Sequence, residues 1–185
     1  MSINKADAYL RQAQADRNAA SALGAQDMAA SSSGKAIFMS HAIAMCQQSV
    51  EKSVKGLYLL FGYEPRRSHT VEKIVMSLLK APAGSTRRNP GYGRIATLFS
   101  TDFRASIRAL CDLAPKGKER DPDQIGRNTE YPFVRGNVWR APSDIGVFRE
   151  EELDKYMRIA LRTVHEVERI RVALKRMEHL SEVKK

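Results

Sequence analysis

Residues 35–61, KAIFMSHAIAMCQQSVEKSVKGLYLLF, are the stretch of sequence that decides the fold. At helical spacing, one inner side of it is marked by Phe38, Ala42, Met45, Ser49, Leu57 and Leu60. Gly62 follows directly and is a natural C-terminal stop for a helix. The stretch therefore predicts one long helix, the best-defined in the chain.

Helical patterns continue on both sides of this segment. Further helices are predicted over residues 3–23, from 71 to the Ala81-Pro82 step, over 95–113 with a division near 100–102, and over 148–180. The small-residue stretch at 29–34 is expected to break the first helix. Runs of Val, Ile and Thr in period-two alternation are missing, so the predicted fold class is all-α. Residues 114–147 form a long loop before the last helix, and without an internal repeat we expect residues 1–185 to form one domain.

Composition points to a globular protein with an anionic partner. The 185 residues are 43% hydrophobic and carry a formal net charge of +10. A domain this basic attracts nucleic acid or an anionic membrane surface. The membrane is the weaker candidate, because no segment has one basic and one bulky apolar face. Cys46 and Cys111 are expected to be buried free thiols, and the absence of a signal-peptide pattern predicts a cytoplasmic location.

The charged residues of the long helix belong to a wider pattern. Glu51 and Lys55 stand four residues apart, which by itself indicates a surface ion pair. Together with the run Cys46–Leu57, Gly62, His69 and the apolar third helix, however, they resemble the HEPN domain, whose helix follows Gln-x-x-Glu-Lys-x-x-Lys-x-Leu. Tyr131-Pro132, ahead of the last helix, resembles one large branch of that family, and the resemblance covers roughly residues 3–172.

The resemblance implies an up-and-down bundle of four to five helices that commonly forms a homodimer. Many members of the family are metal-independent endoribonucleases that act as toxins or anti-phage effectors. Others bind nucleotides or serve as non-catalytic partners. We accordingly expect no metal and no cofactor.

Active members carry an Arg-x(4–6)-His motif, which this chain matches only in part. Arg127-Asn128 begins like the motif, but Pro132 stands at the usual place of the histidine. Loss of that general base typically lowers the rate by a factor of about 10² to 10⁴. Glu130 is a candidate substitute base.

Arg158 and His165 give a second formal match on the last helix. Seven residues place them on one face but about 10 Å apart along the axis. The alternative is an exposed arginine and a partly buried histidine with no shared role.

Several residues are candidates for contacts with RNA phosphates and bases. The basic candidates are Arg120, Arg127, Arg135 and Arg140, and the aromatic ones are Tyr131 and Trp139. The aromatic residues could equally anchor the loop to the core. His69 could bind phosphate at the start of the third helix or simply cap it.

The sequence thus predicts an RNA- or nucleotide-binding, HEPN-like homodimer, with catalysis left open. The alternative is a non-catalytic adaptor that packs against a partner protein, such as an antitoxin or a nucleotidyltransferase.

Overall fold

The computed structural model describes residues 3–30, 38–64, 71–80, 91–113, 133–135, 138–140 and 148–182. This part of the chain comprises α1 (Ile3–Ala30), α2 (Met39–Leu60), α3 (Val71–Lys80), α4 (Gly91–Leu98), α5 (Thr101–Cys111), β1 (Phe133–Arg135), β2 (Val138–Arg140) and α6 (Glu150–Glu182). The helices pack against one another, so the predicted all-α bundle is confirmed.

The centre of the bundle is α2, which contacts α1, α3, α5 and α6. Ile43, Val50, Val54 and Leu57 are completely buried in it, and its buried residues occupy almost its whole circumference. A helix buried over most of its circumference is largely apolar, and the charged exceptions, Glu51, Lys52 and Lys55, lie on one half-buried stripe. This explains why residues 35–61 give the clearest helical signal in the chain.

Small side chains allow α1 and α2 to lie close together. Ala6, Ala13 and Ala20 form the buried stripe of α1. On the facing side of α2, Gly56 is so close to α1 that an added Cβ would lie 2.6 Å from Cδ2 of Leu10. Only a residue without a side chain fits at that point without a shift of Leu10.

The C-terminus of α2 is formed by Gly62, as predicted. Its φ angle is 81°, a left-handed conformation that glycine adopts without strain. Its backbone N–H donates to the carbonyl of Leu59 at 2.9 Å, and the N–H of Tyr63 donates to the carbonyl of Tyr58 at 3.1 Å. These bonds satisfy carbonyl groups that the helix end would otherwise leave open.

The helix boundaries depart from the sequence prediction in two places. α1 continues to Ala30 and is not broken after Leu23. Residues 91–93, which precede the helix predicted over 95–113, form the first turn of α4, whose Ile95 and Leu98 are buried in the core. In α4, packing of the apolar residues outweighs the low helix propensity of the two glycines. The predicted division of the fourth segment is confirmed, since α4 ends at Leu98 and α5 begins at Thr101.

The long segment 114–147 contains a short antiparallel ribbon that was not predicted. β1 and β2 pair with Val134 opposite Trp139 and Phe133 opposite Arg140. Gly136-Asn137 lies between two short runs of β-branched and aromatic residues, a pattern typical of a two-residue hairpin. The signal was therefore present in the sequence, although each strand has only three residues.

None of the helices in the described part of the chain combines the length and apolarity needed to span a membrane.

Candidate functional site

The outward face of α6 carries a stripe of basic side chains. Leu153, Tyr156 and Ala160 pack into the core. Arg158, Arg162, His165 and Arg169 follow at steps of three and four on the exposed side, and Arg176 lies seven residues further on. From Arg158 to Arg176 the stripe extends over about 27 Å along the helix axis.

These cations differ in the contacts that they make. Arg169 donates to Oε1 of Glu166 at 2.8 Å. The guanidinium carbon of Arg162 lies 4.1 Å from the centroid of the Phe103 ring, a cation–π contact that holds it against α5. Within the described ranges, Arg158 and Arg176 have no hydrogen-bonding or ion-pair partner. Both guanidinium groups are therefore available to an anionic ligand.

Arg158 also lines a groove of about 390 Å³ between α1 and α6. The residues that line the groove are Arg17, Asn18 and Ser21 from α1, and Asp154, Met157, Arg158 and Leu161 from α6. The guanidinium of Arg17 donates to the side-chain oxygen of Asn18. Leu161 is 49% exposed, so an apolar surface borders the charged groups.

The inner side of the groove rests on the core. The sulfur atoms of Met157 and Cys46 are 3.4 Å apart, so Met157 connects the groove to the buried face of α2. One turn of α1 away from Ser21, a Cβ added at Gly24 would lie 3.1 Å from Cδ2 of Leu153. The two helices are thus in close contact next to the point where the groove opens.

Burial raises the pKa of the Cys46 thiol to about 12. The thiolate is therefore not formed near neutral pH, and Cys46 is a packing residue, not a nucleophile. Cys111 is half-buried and is also free of any disulfide.

Arg158 and His165 do not form a catalytic pair in this structure. Both are exposed, and the side chain of His165 is 68% exposed. The expectation of a partly buried histidine is therefore wrong. Seven residues of helix separate the two by about 10 Å along the axis, which is too far for both to contact one phosphate. Nδ1 of His165 lies 3.8 Å from Oε1 of Glu166, and His165 does not line the groove.

The charged residues in the signature run of α2 form ion pairs, one of which joins α2 to α1. Lys55 donates to Glu51 at 2.5 Å, and both side chains are 13% exposed, so this pair is more buried than a surface pair. Lys52 donates to Oδ2 of Asp16 on α1 at 2.7 Å, and Gln12 donates to Oδ1 of the same carboxylate. The sequence prediction missed this bond between α1 and α2.

The remaining predicted site residues do not lie on α6, and most of them fall outside the described part of the chain. Outside the described residues are His69, Arg120, Arg127, Asn128, Glu130 and Tyr131. Arg135 ends β1, and Trp139 and Arg140 lie in β2. In the ribbon's register, the positions of Arg135 and Arg140 share one face, and that of Trp139 lies on the other.

Comparison with known proteins identifies one family. Residues 3–89 match the family model of the HEPN domain. The match includes α1, α2 and α3 and confirms the resemblance over that range. Tyr131-Pro132 lies beyond it, so the assignment to a branch of the family stays a prediction. No curated protein and no solved structure matches the chain.

Proposed function

We propose, on the premise that residues 3–89 are a HEPN domain, that this chain binds RNA through the basic outward face of α6. The observation that carries the proposal is the exposed arginine stripe, in which Arg158 and Arg176 have no counter-charge among the described residues. The HEPN match supports a function related to RNA or nucleotides.

The charge distribution along α6 supports this proposal. Residues 154–176 contain seven Lys and Arg against three Asp and Glu. Arginine suits phosphate because its planar guanidinium donates two parallel hydrogen bonds and is weakly hydrated. Binding to a strand of phosphates also releases condensed counterions, which favours association at low salt.

The segment between α5 and α6 would add specificity to this surface. Arg120, Arg127, Arg135 and Arg140 would contact phosphates, with His69 as a further candidate, while Tyr131 and Trp139 would stack on unpaired bases. We further propose that residues 1–185 form one domain and that the protein is a homodimer. Both proposals rest on the family resemblance.

RNA binding can be tested by the salt dependence of affinity. Fluorescence anisotropy with a labelled single-stranded RNA gives the slope of log affinity against log salt. Each phosphate contact contributes about 0.7 to the slope for a single strand, so Arg162→Gln with Arg176→Gln should lower it by roughly 1.4. The control is Lys5→Gln, because Lys5 is already paired with Glu64 at 2.7 Å. An unchanged slope in the double variant would show that RNA does not use this face.

Ribonuclease activity is a narrower form of the same proposal. Arg127 and Asn128 would stabilise the charge that develops on the phosphate, and Glu130 would replace the missing histidine as the base. Structured RNA incubated with the protein in EDTA should then be cleaved, and Arg127→Ala should abolish cleavage. If Arg127→Ala still cleaves the RNA but His165→Ala does not, the catalytic residues would lie on α6 instead. A toxin or anti-phage role would be one use of such an activity.

The adaptor alternative has one observation in its favour. Leu161 and Val172 are exposed on the same face of α6, at 49% and 37%. Eleven residues separate them by about 16 Å along the axis, and arginines lie between them. Such scattered apolar residues are normal on a protein surface, whereas a docking surface is contiguous. The described geometry therefore favours RNA over a protein partner.

A further inference from the structure

The α1–α6 groove has the size and composition of a small-ligand site. Its volume of about 390 Å³ falls within the usual range for such pockets, about 300–1,000 Å³. Its lining combines two guanidinium groups, one carboxylate, an amide, a hydroxyl and two apolar side chains. A few polar groups placed beside an apolar wall is the usual arrangement of a site that orients a ligand.

The two arginines make one part of the groove suited to a terminal phosphate. In the described part of the chain, neither Arg17 nor Arg158 is paired with a carboxylate. A phosphate monoester carries a charge of about −1.5 to −2 at pH 7, which two guanidinium groups neutralise. A phosphodiester carries only one charge, so the pair favours the end of a strand, or a free nucleotide, over its interior.

The other side chains match the rest of a nucleotide. Met157 and Leu161 offer an apolar wall, and thioether sulfur makes favourable contacts with aromatic rings. Asp154 is exposed and has no ion-pair partner in the described ranges, although Arg158 is four residues away. A carboxylate that forms no ion pair with a neighbouring side chain can accept a hydrogen bond from a ribose hydroxyl.

We infer that this groove binds one nucleotide with a terminal phosphate, held by Arg17 and Arg158, with its base against Met157 and Leu161 and its ribose at Asp154. The inference rests on the proposed RNA-related function and adds a defined ligand and site to it. A free nucleoside monophosphate and the 5′-phosphorylated end of an RNA present the same chemistry to these residues.

The experiment uses the full chain and measures two kinds of ligand. Calorimetric titration with the four nucleoside 5′-monophosphates, the matching nucleosides and inorganic phosphate gives the contribution of each part of the ligand. Anisotropy with one RNA sequence, bearing either a 5′-phosphate or a 5′-hydroxyl, shows whether a strand end is bound.

The matched variants are Arg158→Gln and Arg11→Gln. Each removes one exposed guanidinium that has no partner among the described residues, but only Arg158 lines the groove, and Arg11, on α1, lies outside the basic stripe of α6. We expect the phosphate to improve affinity by about tenfold or more, because hydrogen bonds to charged groups are the strong ones. Arg158→Gln should remove this gain, and Arg11→Gln should preserve it. Asp154→Asn should weaken ribonucleotides relative to deoxyribonucleotides.

Three results would overturn the inference. The first is an equal affinity for phosphorylated and unphosphorylated ligands, and the second is an equal loss in the two arginine variants. If the RNA is still bound in either case, the proposed function stands and only the groove assignment is wrong. The third is that the protein is a dimer, that Leu161→Arg converts it to a monomer, and that nucleotide affinity does not change. The groove would then be a contact between two protein chains. Binding of monophosphates without any binding of RNA would keep the groove and refute the RNA proposal.

Discussion

Two serines on α2 provide a direct test of how α1 and α2 are held together. Ser49 and Ser53 are one turn apart on the same side of the helix, and both are completely buried. The hydroxyl of Ser49 donates to the backbone carbonyl of Ala13 on α1 at 2.8 Å. The hydroxyl of Ser53 has no hydrogen-bond partner in the described structure. Replacement of either serine by alanine removes one oxygen atom from a completely buried position, but we expect opposite effects on the stability of the protein.

The structure gives the sign and size of both changes. Ser49→Ala loses a hydrogen bond with a net contribution of about 0.5–1.5 kcal/mol. Ser53→Ala removes a buried hydroxyl whose desolvation is not compensated, which costs the native protein about 1–3 kcal/mol. Both variants gain helix propensity, and this gain cancels when they are compared with each other. Ser53→Ala should therefore be more stable than Ser49→Ala by about 1.5–4.5 kcal/mol.

Chemical denaturation followed by far-UV circular dichroism measures this difference. At the size of this chain, 2 kcal/mol corresponds to about 4–8 °C in Tm, so thermal unfolding gives an independent check. Unchanged m-values would show that the variants unfold from the same native state. If Ser53→Ala is as destabilising as Ser49→Ala, the hydroxyl of Ser53 has a partner in solution and the explanation given for this interface is wrong.

Two further predictions concern titratable groups. Burial alone would raise the pKa of Asp7, but hydrogen bonds from Lys175 and Arg171 outweigh it and hold this pKa below its ordinary value of 3.8. The stabilisation by Asp7 is therefore complete above that value and is lost as the pH falls through the lower folded pKa. In denaturation series from pH 7 to pH 2, Asp7→Asn should be less stable than the wild type at pH 7, and this difference in unfolding free energy should disappear below pH 3.8. A difference that stays constant over this pH range would contradict the prediction. Because burial raises the pKa of Cys46 to about 12, a maleimide at pH 7.5 should leave Cys46 unmodified until the protein unfolds. If the native protein is labelled rapidly and peptide mass spectrometry locates the label at Cys46, this part of the core opens in solution.

The sequence was most informative where burial is most complete. The pattern over 35–61 predicted α2 because nearly every position there is dictated by packing, and Gly62 predicted its end because only glycine adopts that φ without strain. Predictions failed where tertiary contacts decide the outcome. Gly91 and Gly93 favour a turn locally, yet the burial of Ile95 and Leu98 keeps that segment helical.

The candidate site was harder to predict because it depends on contacts between distant parts of the chain. Arg17 and Arg158 belong to the first and last helices; no local motif marks Arg17, and the spacing of Arg158 to His165 gave no indication of the groove. Asp16 and Lys52, whose ion pair joins α1 to α2, are likewise far apart in the sequence. The spacing of the arginines on α6 was visible, however, and would have identified its outward basic face.

The HEPN signature and the candidate site therefore have different physical origins. The signature charges on α2 are engaged in ion pairs: Glu51 with Lys55 stabilises α2 itself, and Lys52 with Asp16 joins α2 to α1. These pairs leave no uncompensated charge for a ligand. The charges that we propose to bind ligand lie mainly on α6, beyond the matched residues 3–89, and only Arg17 lies on α1. A family match confined to α1, α2 and α3 consequently indicates the scaffold, while most of the side chains that we propose to bind ligand lie outside the match. Variation in Arg158 and Asp154 among proteins with the same signature should thus change ligand preference without changing the fold.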